Sequence, residues 1–141
     1  MKSLKILLLS LLFIPFGINA QCKSFTKKQC RPNVAPYIHN GQMNNAILYP
    51  EDKADIMLTF YSGQDYRIVV CSEDQLGDVN FKVTDLERKV IYDSKGKDSD
   101  TFDFKVTSTR QLIVTIEVPE SQNTHDLDYN GCVSVLVGFK N

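Results

Sequence analysis

From Gln42 onward apolar side chains recur at every second position, and that period constrains the fold more than any other feature of the chain. Phe81 and Val83 alternate with Asn80, Lys82 and Thr84, and Phe102, Phe104 and Val106 alternate with Asp103 and Lys105. Leu112, Val114, Ile116 and Val118 alternate with Ile113, Thr115 and Glu117, while Val133, Val135, Val137 and Phe139 alternate with Ser134, Leu136 and Gly138. Successive side chains of an extended strand point to opposite faces, so each run builds one apolar face and makes a poor helix. Burying one such side chain contributes roughly 1.5–3 kcal/mol, enough to set strand identity and facing together. Turn-forming residues separate the runs at 49–52, 62–65, 76–78, 85–88, 94–97 and Asn130-Gly131. No crossover helix fits between the strands, which points to antiparallel pairing. The expected fold is all-β: an antiparallel β-sandwich, jelly-roll-like, of about eight strands over 42–141, with 119–130 as its longest loop.

The start of the chain follows other rules. Met1-Lys-Ser-Leu-Lys5 is basic, 6–16 is apolar, and Gly17-Ile-Asn-Ala20 ends on a small residue. This is the layout of a secretory signal peptide cleaved after Ala20. The apolar run is shorter than the roughly 20 residues that a membrane-spanning helix needs. A lipid anchor on Cys22 would require a small residue directly before it, where Gln21 stands. The expected organisation is a signal peptide at 1–20, a cysteine-containing arm at 21–41 and the sandwich at 42–141. The processed protein is expected in the periplasm or outside the cell, not inserted in a membrane. Within the arm, 23–29 allows at most two helical turns. Arg31-Pro32 and Ala35-Pro36 then impose an extended or turning path, so a short helix or irregular arm laid on the main body is expected.

All four cysteines, Cys22, Cys30, Cys71 and Cys132, follow the cleavage point, as disulfides in an oxidising compartment require. Four cysteines allow three pairings. Cys71 alternates onto the face of Arg67 and Val69, opposite Tyr66, Ile68 and Val70, and Cys132 onto the face of Ser134 and Leu136, opposite the valines. Both point away from the core side. That facing predicts a Cys71–Cys132 bridge across one sheet and a local Cys22–Cys30 staple. No Cys-x-x-Cys supports a zinc or redox site.

The whole chain has a formal net charge of −1, and losing Lys2 and Lys5 would make the remainder more acidic. Its charges are scattered, which excludes the electrostatic footprint of a nucleic-acid binder. There is no basic amphipathic segment for a membrane surface. The acidic loop at 93–100 carries Lys95 and Lys97 at alternating positions, which repel a cation. His39 and His125 fall in segments read as irregular and lack a third sequence-local ligand. No Gly-x-Ser-x-Gly elbow is present. Neither a catalytic residue nor a cofactor is expected. The stretch 37–45 mixes aromatic, imidazole and amide groups, so Tyr37, His39, Asn40, Gln42 and Asn44 form the candidate ligand surface. The chain has no Trp, the strongest sugar-stacking side chain.

These features lead to a non-catalytic secreted or periplasmic binding or envelope-accessory module, with an envelope protein or a glycan as partner. Two other classes fit the same scaffold. One is a small secreted hydrolase in which a histidine meets carboxylates, and the other is a structural subunit of an envelope complex with an uncovered sheet face.

The segments 58–70, with its aromatic–Gly63-Gln64–Tyr66 run, 78–85 with 89–93, 111–117 and 131–137 follow one another in a recognisable order. That order resembles the pre-peptidase C-terminal β-sandwich of secreted bacterial proteins. The cysteine-bearing arm with Ala35-Pro-Tyr-Ile-His39 is similar to small secreted β-sandwich proteins of Bacteroidota. The resemblance implies a sandwich that accompanies exported hydrolases.

Overall fold

The computed structural model describes residues 19–121 and 129–141. Among these residues nine strands form two antiparallel sheets: β1 (Ile38–His39), β2 (Asn44–Leu48), β3 (Lys53–Phe60), β4 (Gln64–Ser72), β5 (Asn80–Thr84), β6 (Val90–Asp93), β7 (Thr101–Val106), β8 (Arg110–Glu117) and β9 (Gly131–Lys140). The first sheet runs β1-β9-β4-β7, with β2 continuing along the same edge of β9, and the second runs β3-β8-β5-β6. Four of the antiparallel pairs are nested: β2 with β9, β3 with β8, β4 with β7, and β5 with β6. One long hairpin rolled over itself gives this order, which is that of a jelly roll.

The alternating runs face as expected. Phe81, Val83, Leu112, Val114, Ile116, Val118, Val133, Val135 and Val137 are buried together between the sheets with Phe60 and Ile68. On the β6–β7 side rings close the sandwich: Tyr92 stacks on Phe102 (4.3 Å between centroids), Phe102 on Phe104 (5.0 Å), and Phe104 meets Phe60 edge-on (5.0 Å). Phe102 and Phe104 are only partly buried, because β7 is an edge strand.

The arm forms a third layer on the outer face of the first sheet. Helix α1 (Asn19–Phe25) continues into a π turn at Thr26–Cys30 and a 3₁₀ turn at Arg31–Val34. This helical run is longer than the two turns expected. Cys22, Thr26, Cys30 and Val34 are buried at every fourth position, with Phe25 beside them, and this stripe covers Val69, Leu136 and Cys132. Pro32 is tolerated because it stands at the start of the 3₁₀ turn, where a missing N–H costs little. The cis Ala35–Pro36 bond then leads the chain into β1. The arm reaches β9 closely at Gly138, where a Cβ would fall 2.5 Å from Val34 Cγ1 and 2.7 Å from Tyr37 Cβ.

The cysteines pair as Cys22–Cys132 and Cys30–Cys71, with Cα atoms 5.4 and 5.8 Å apart, so the expected Cys71–Cys132 and Cys22–Cys30 pairing is corrected. Two distances explain it. Cys71 stands opposite Ser134, so Cys132 lies two residues further along β9. Such diagonal neighbours are typically about 7–8 Å apart, beyond the roughly 7 Å limit for bridging. Cys22 and Cys30 are separated by more than two helical turns, about 12 Å at 1.5 Å per residue. Both sheet cysteines do point away from the core, and each meets the arm that covers their face.

Candidate functional site

The two open sides of the sandwich differ because their side chains differ in size. The β6–β7 side is filled by the aromatic ladder, whereas the β2–β3 side carries Ala46 and Ala54, both only partly buried. A groove of 380 Å³ results between these two edge strands, lined by Met43, Asn44, Asn45, Ala46, Ala54, Asp55 and Ile56, with Ile116, Val133 and Val135 at its floor. Further along the same side a second cleft of 230 Å³ lies among Asn40, Gln42, Leu58, Thr59, Tyr61, Gln64, Tyr66, Val137 and Phe139.

The structure divides the five candidate residues between two faces. Asn44 pairs with Val135, a core-facing residue, and lines the groove, and its Nδ2 donates to Val135 O at 3.3 Å. Asn40 and Gln42 line the second cleft, where Asn40 Oδ1 accepts the Gln42 N–H at 3.0 Å. Tyr37 packs instead on the outer face with the arm, its ring capped by the Arg67 guanidinium (4.8 Å) and the Lys140 ammonium (4.7 Å). His39, expected in an irregular segment, lies on β1 and is partly buried, with Nε2 2.9 Å from Gln42 O. It pairs with Gly138 in register and so shares the outer face with Tyr37. His125 lies outside the described residues, as does most of the loop at 119–130.

Arg67 anchors this outer corner. It makes a two-pronged ion pair with Asp103 across β4 and β7 (both 2.7 Å) and donates to Ala35 O (2.7 Å) and Asn33 O (3.4 Å) in the arm. Its hydrogen bonds hold the Asp103 carboxyl below the usual range and raise the guanidinium above its own. Asp55 is lowered by the Thr115 hydroxyl and then by Arg88, and Glu117 by Lys53 and Lys82. Every one of these shifts belongs to a contact from one strand to another, to the turn at 85–88 or to the arm. None of the four groups is poised for proton transfer near neutrality.

A polar hollow of 730 Å³ sits under the 93–100 loop, bordered by Asp74, Asp78, Lys95, Lys97, Asp98 and Asp100. Lys97 leans over the Tyr92 ring at 4.3 Å, and Asp93 caps the loop by accepting the Lys95 N–H at 2.9 Å. Among the described residues no three His, Cys, Asp or Glu side chains stand close enough to share a metal ion. No helix among them is long and apolar enough to cross a membrane.

Sequence reasoning missed Tyr61, Gln64, Ala46 and Ala54. The small size of two alanines on adjacent edge strands is the only signal the sequence held for the groove. The pattern places Gln64 in the turn at 62–65 and gives Tyr61, directly before that turn, no role in a ligand surface.

The nested strand order and the two clefts on its open side define a small jelly-roll sandwich. Among solved structures it is similar to PliG of Aeromonas hydrophila, a periplasmic lysozyme inhibitor of g-type lysozyme. The TM-score is 0.50 at 10% identity, covering 74% of this chain and 89% of that one. No protein-family model matches the chain, and no curated protein matches it in sequence.

Proposed function

We propose that this chain is an exported, non-catalytic binding module that receives a protein partner along the open β2–β3 side of its sandwich. The groove between those strands carries the reading: an apolar floor of Ile116, Val133 and Val135, rimmed by two strands whose outer edges pair with no other strand among the described residues. Such edges are natural sites for a partner's extended segment. Two disulfides joining the arm to the sheet fit an oxidising compartment. Removal of residues 1–20 would leave Cys22 next to the new N-terminus, tied to β9 through Cys132. The pre-peptidase-like order of segments over 58–139 fits an accessory to exported enzymes, and PliG offers a precedent for this fold holding an enzyme.

The test uses the exported form, identified by an intact mass that begins at Gln21 without lipid. The protein is immobilised and exposed to g-type lysozyme and to fractionated soluble envelope proteins. Saturable binding is expected, abolished by Ala46→Arg or Ala54→Arg while near-UV circular dichroism stays unchanged. Hydrolysis of peptidoglycan or ester substrates by the protein itself, lost in His39→Ala, would overturn the reading in favour of a small hydrolase.

A further inference from the structure

The second cleft on the open side differs chemically from the groove beside it. Its polar lining is Asn40, Gln42, Thr59, Tyr61, Gln64 and Tyr66, with no charged side chain among the described residues that line it. The chain carries sixteen basic and seventeen acidic residues, so a lining without any of them excludes a ligand that needs a counter-charge. Lys140, the nearest cation along β9, turns to the Tyr37 ring on the opposite face.

Each of the three amides offers both a donor pair and an acceptor. Two are held in place: Asn40 Oδ1 by the Gln42 N–H (3.0 Å), and Gln64 Oε1 by the Tyr66 hydroxyl (3.0 Å). The buried Tyr66 hydroxyl also accepts the Tyr61 N–H at 2.9 Å, which fixes the backbone of a tyrosine that is itself 63% exposed. No other aromatic ring packs on Tyr61 among the described residues. The side-chain amide of Gln42 and the Nδ2 of Asn40 have no protein partner among them either.

We propose that this cleft binds one ring of a neutral saccharide. A sugar ring presents hydroxyls at its edge, each a donor and an acceptor, and C–H patches on its faces. Pre-set amides and an exposed, flat, amphipathic ring match those two demands, and holding the amides beforehand lowers the ordering cost of binding. At 230 Å³ the cleft is smaller than the roughly 300–1,000 Å³ of pockets for drug-sized ligands, so it fits a single ring with the rest of a glycan outside. The proposal rests on the open side being a binding surface. It needs no protein partner, so its failure leaves the partner measurement standing, and the reverse also holds.

The test is an ¹⁵N-resolved NMR titration of 21–141 with chitotriose and with cellotriose, using trigalacturonate as the charged comparator. Millimolar, saturable shifts confined to Asn40, Gln42, Tyr61 and Gln64 are expected with at least one neutral sugar and none with trigalacturonate. Tyr61→Ala and Gln64→Ala should each weaken binding about tenfold, as losing one ring contact or one hydrogen bond does, and Tyr61→Phe should retain it. Absence of shifts with both neutral sugars, equal shifts with trigalacturonate, or unchanged affinity in both alanine variants overturns the proposal.

Discussion

Phe60 and Phe104 touch each other with centroids 5.0 Å apart, yet the fold treats them differently. Phe60 is 0% exposed, while Phe104 sits on the edge strand β7 and is partly open to water. Alternation places both on the core side and cannot distinguish them, because it reports facing and not distance from the sheet edge. Removing a fully buried ring costs about 3–5 kcal/mol, so Phe60→Ala should remove a large share of the stability of a small domain, about 5–15 kcal/mol. Phe104→Ala should cost less, about 2 kcal/mol, since part of that ring already meets water. Urea midpoints of the two variants decide this, and equal losses would contradict the edge position of β7. A similar contrast explains the candidate ligand surface. Tyr37 and Asn40 are three residues apart, but the strand pleat and the jog between β1 and β2 send them to opposite faces of the sheet.

At the scale of elements, the arm is where local preference and final structure part. Cys22, Phe25, Thr26, Cys30 and Val34 make a buried stripe, but two cysteines and a threonine do not register as an apolar helical face. Thr26 is buried because polar neighbours satisfy it: its hydroxyl lies 2.7 Å from Cys22 O and also contacts Ser134, whose own hydroxyl donates to Asn45 Oδ1 at 2.8 Å. The disulfides hold this layer in place. In the chain-entropy picture, closing the 41-residue separation of Cys30–Cys71 contributes about 4 kcal/mol, and the 110-residue separation of Cys22–Cys132 about 5 kcal/mol. Peptide mapping without reductant should recover these two links. Reduction should lower the urea midpoint and raise binding of a hydrophobic dye, as the arm leaves Val69 and Leu136 uncovered. Unchanged dye binding would mean that packing alone retains the arm.

Across the whole molecule, charge ties neighbouring strands together more than it shapes a site. Asp103, Asp55 and Glu117 each bridge strands, through Arg67, through Thr115 and Arg88, and through Lys53 and Lys82. All three carboxyls are held below their ordinary values. A depressed folded-state value means that the stabilisation is fully present above the unfolded carboxylate value, about 4, and is lost as pH falls through the depressed one. The protein should therefore hold its stability down to about pH 4 and lose it progressively below, by a modest amount because these pairs are partly exposed. Asp103→Asn should flatten part of that decline in urea unfolding followed between neutral and strongly acid pH. An identical acid profile in the variant would remove the Arg67–Asp103 pair from the account.

The sequence by itself determined the strand periods, the facing of each run, the turns between them and hence a jelly-roll sandwich, because these depend on residues one or two positions apart. It also determined that both sheet cysteines point away from the core. A short helix or arm on the main body was legible in the sequence, but the cysteine partners, the arm's full helical extent and the face it covers, the split of the candidate surface and the cleft around Tyr61 were decided only by tertiary structure. Each of these depends on which strand lies beside which and at what register. That is settled by packing between residues as far apart as Cys22 and Cys132, and no local pattern encodes it.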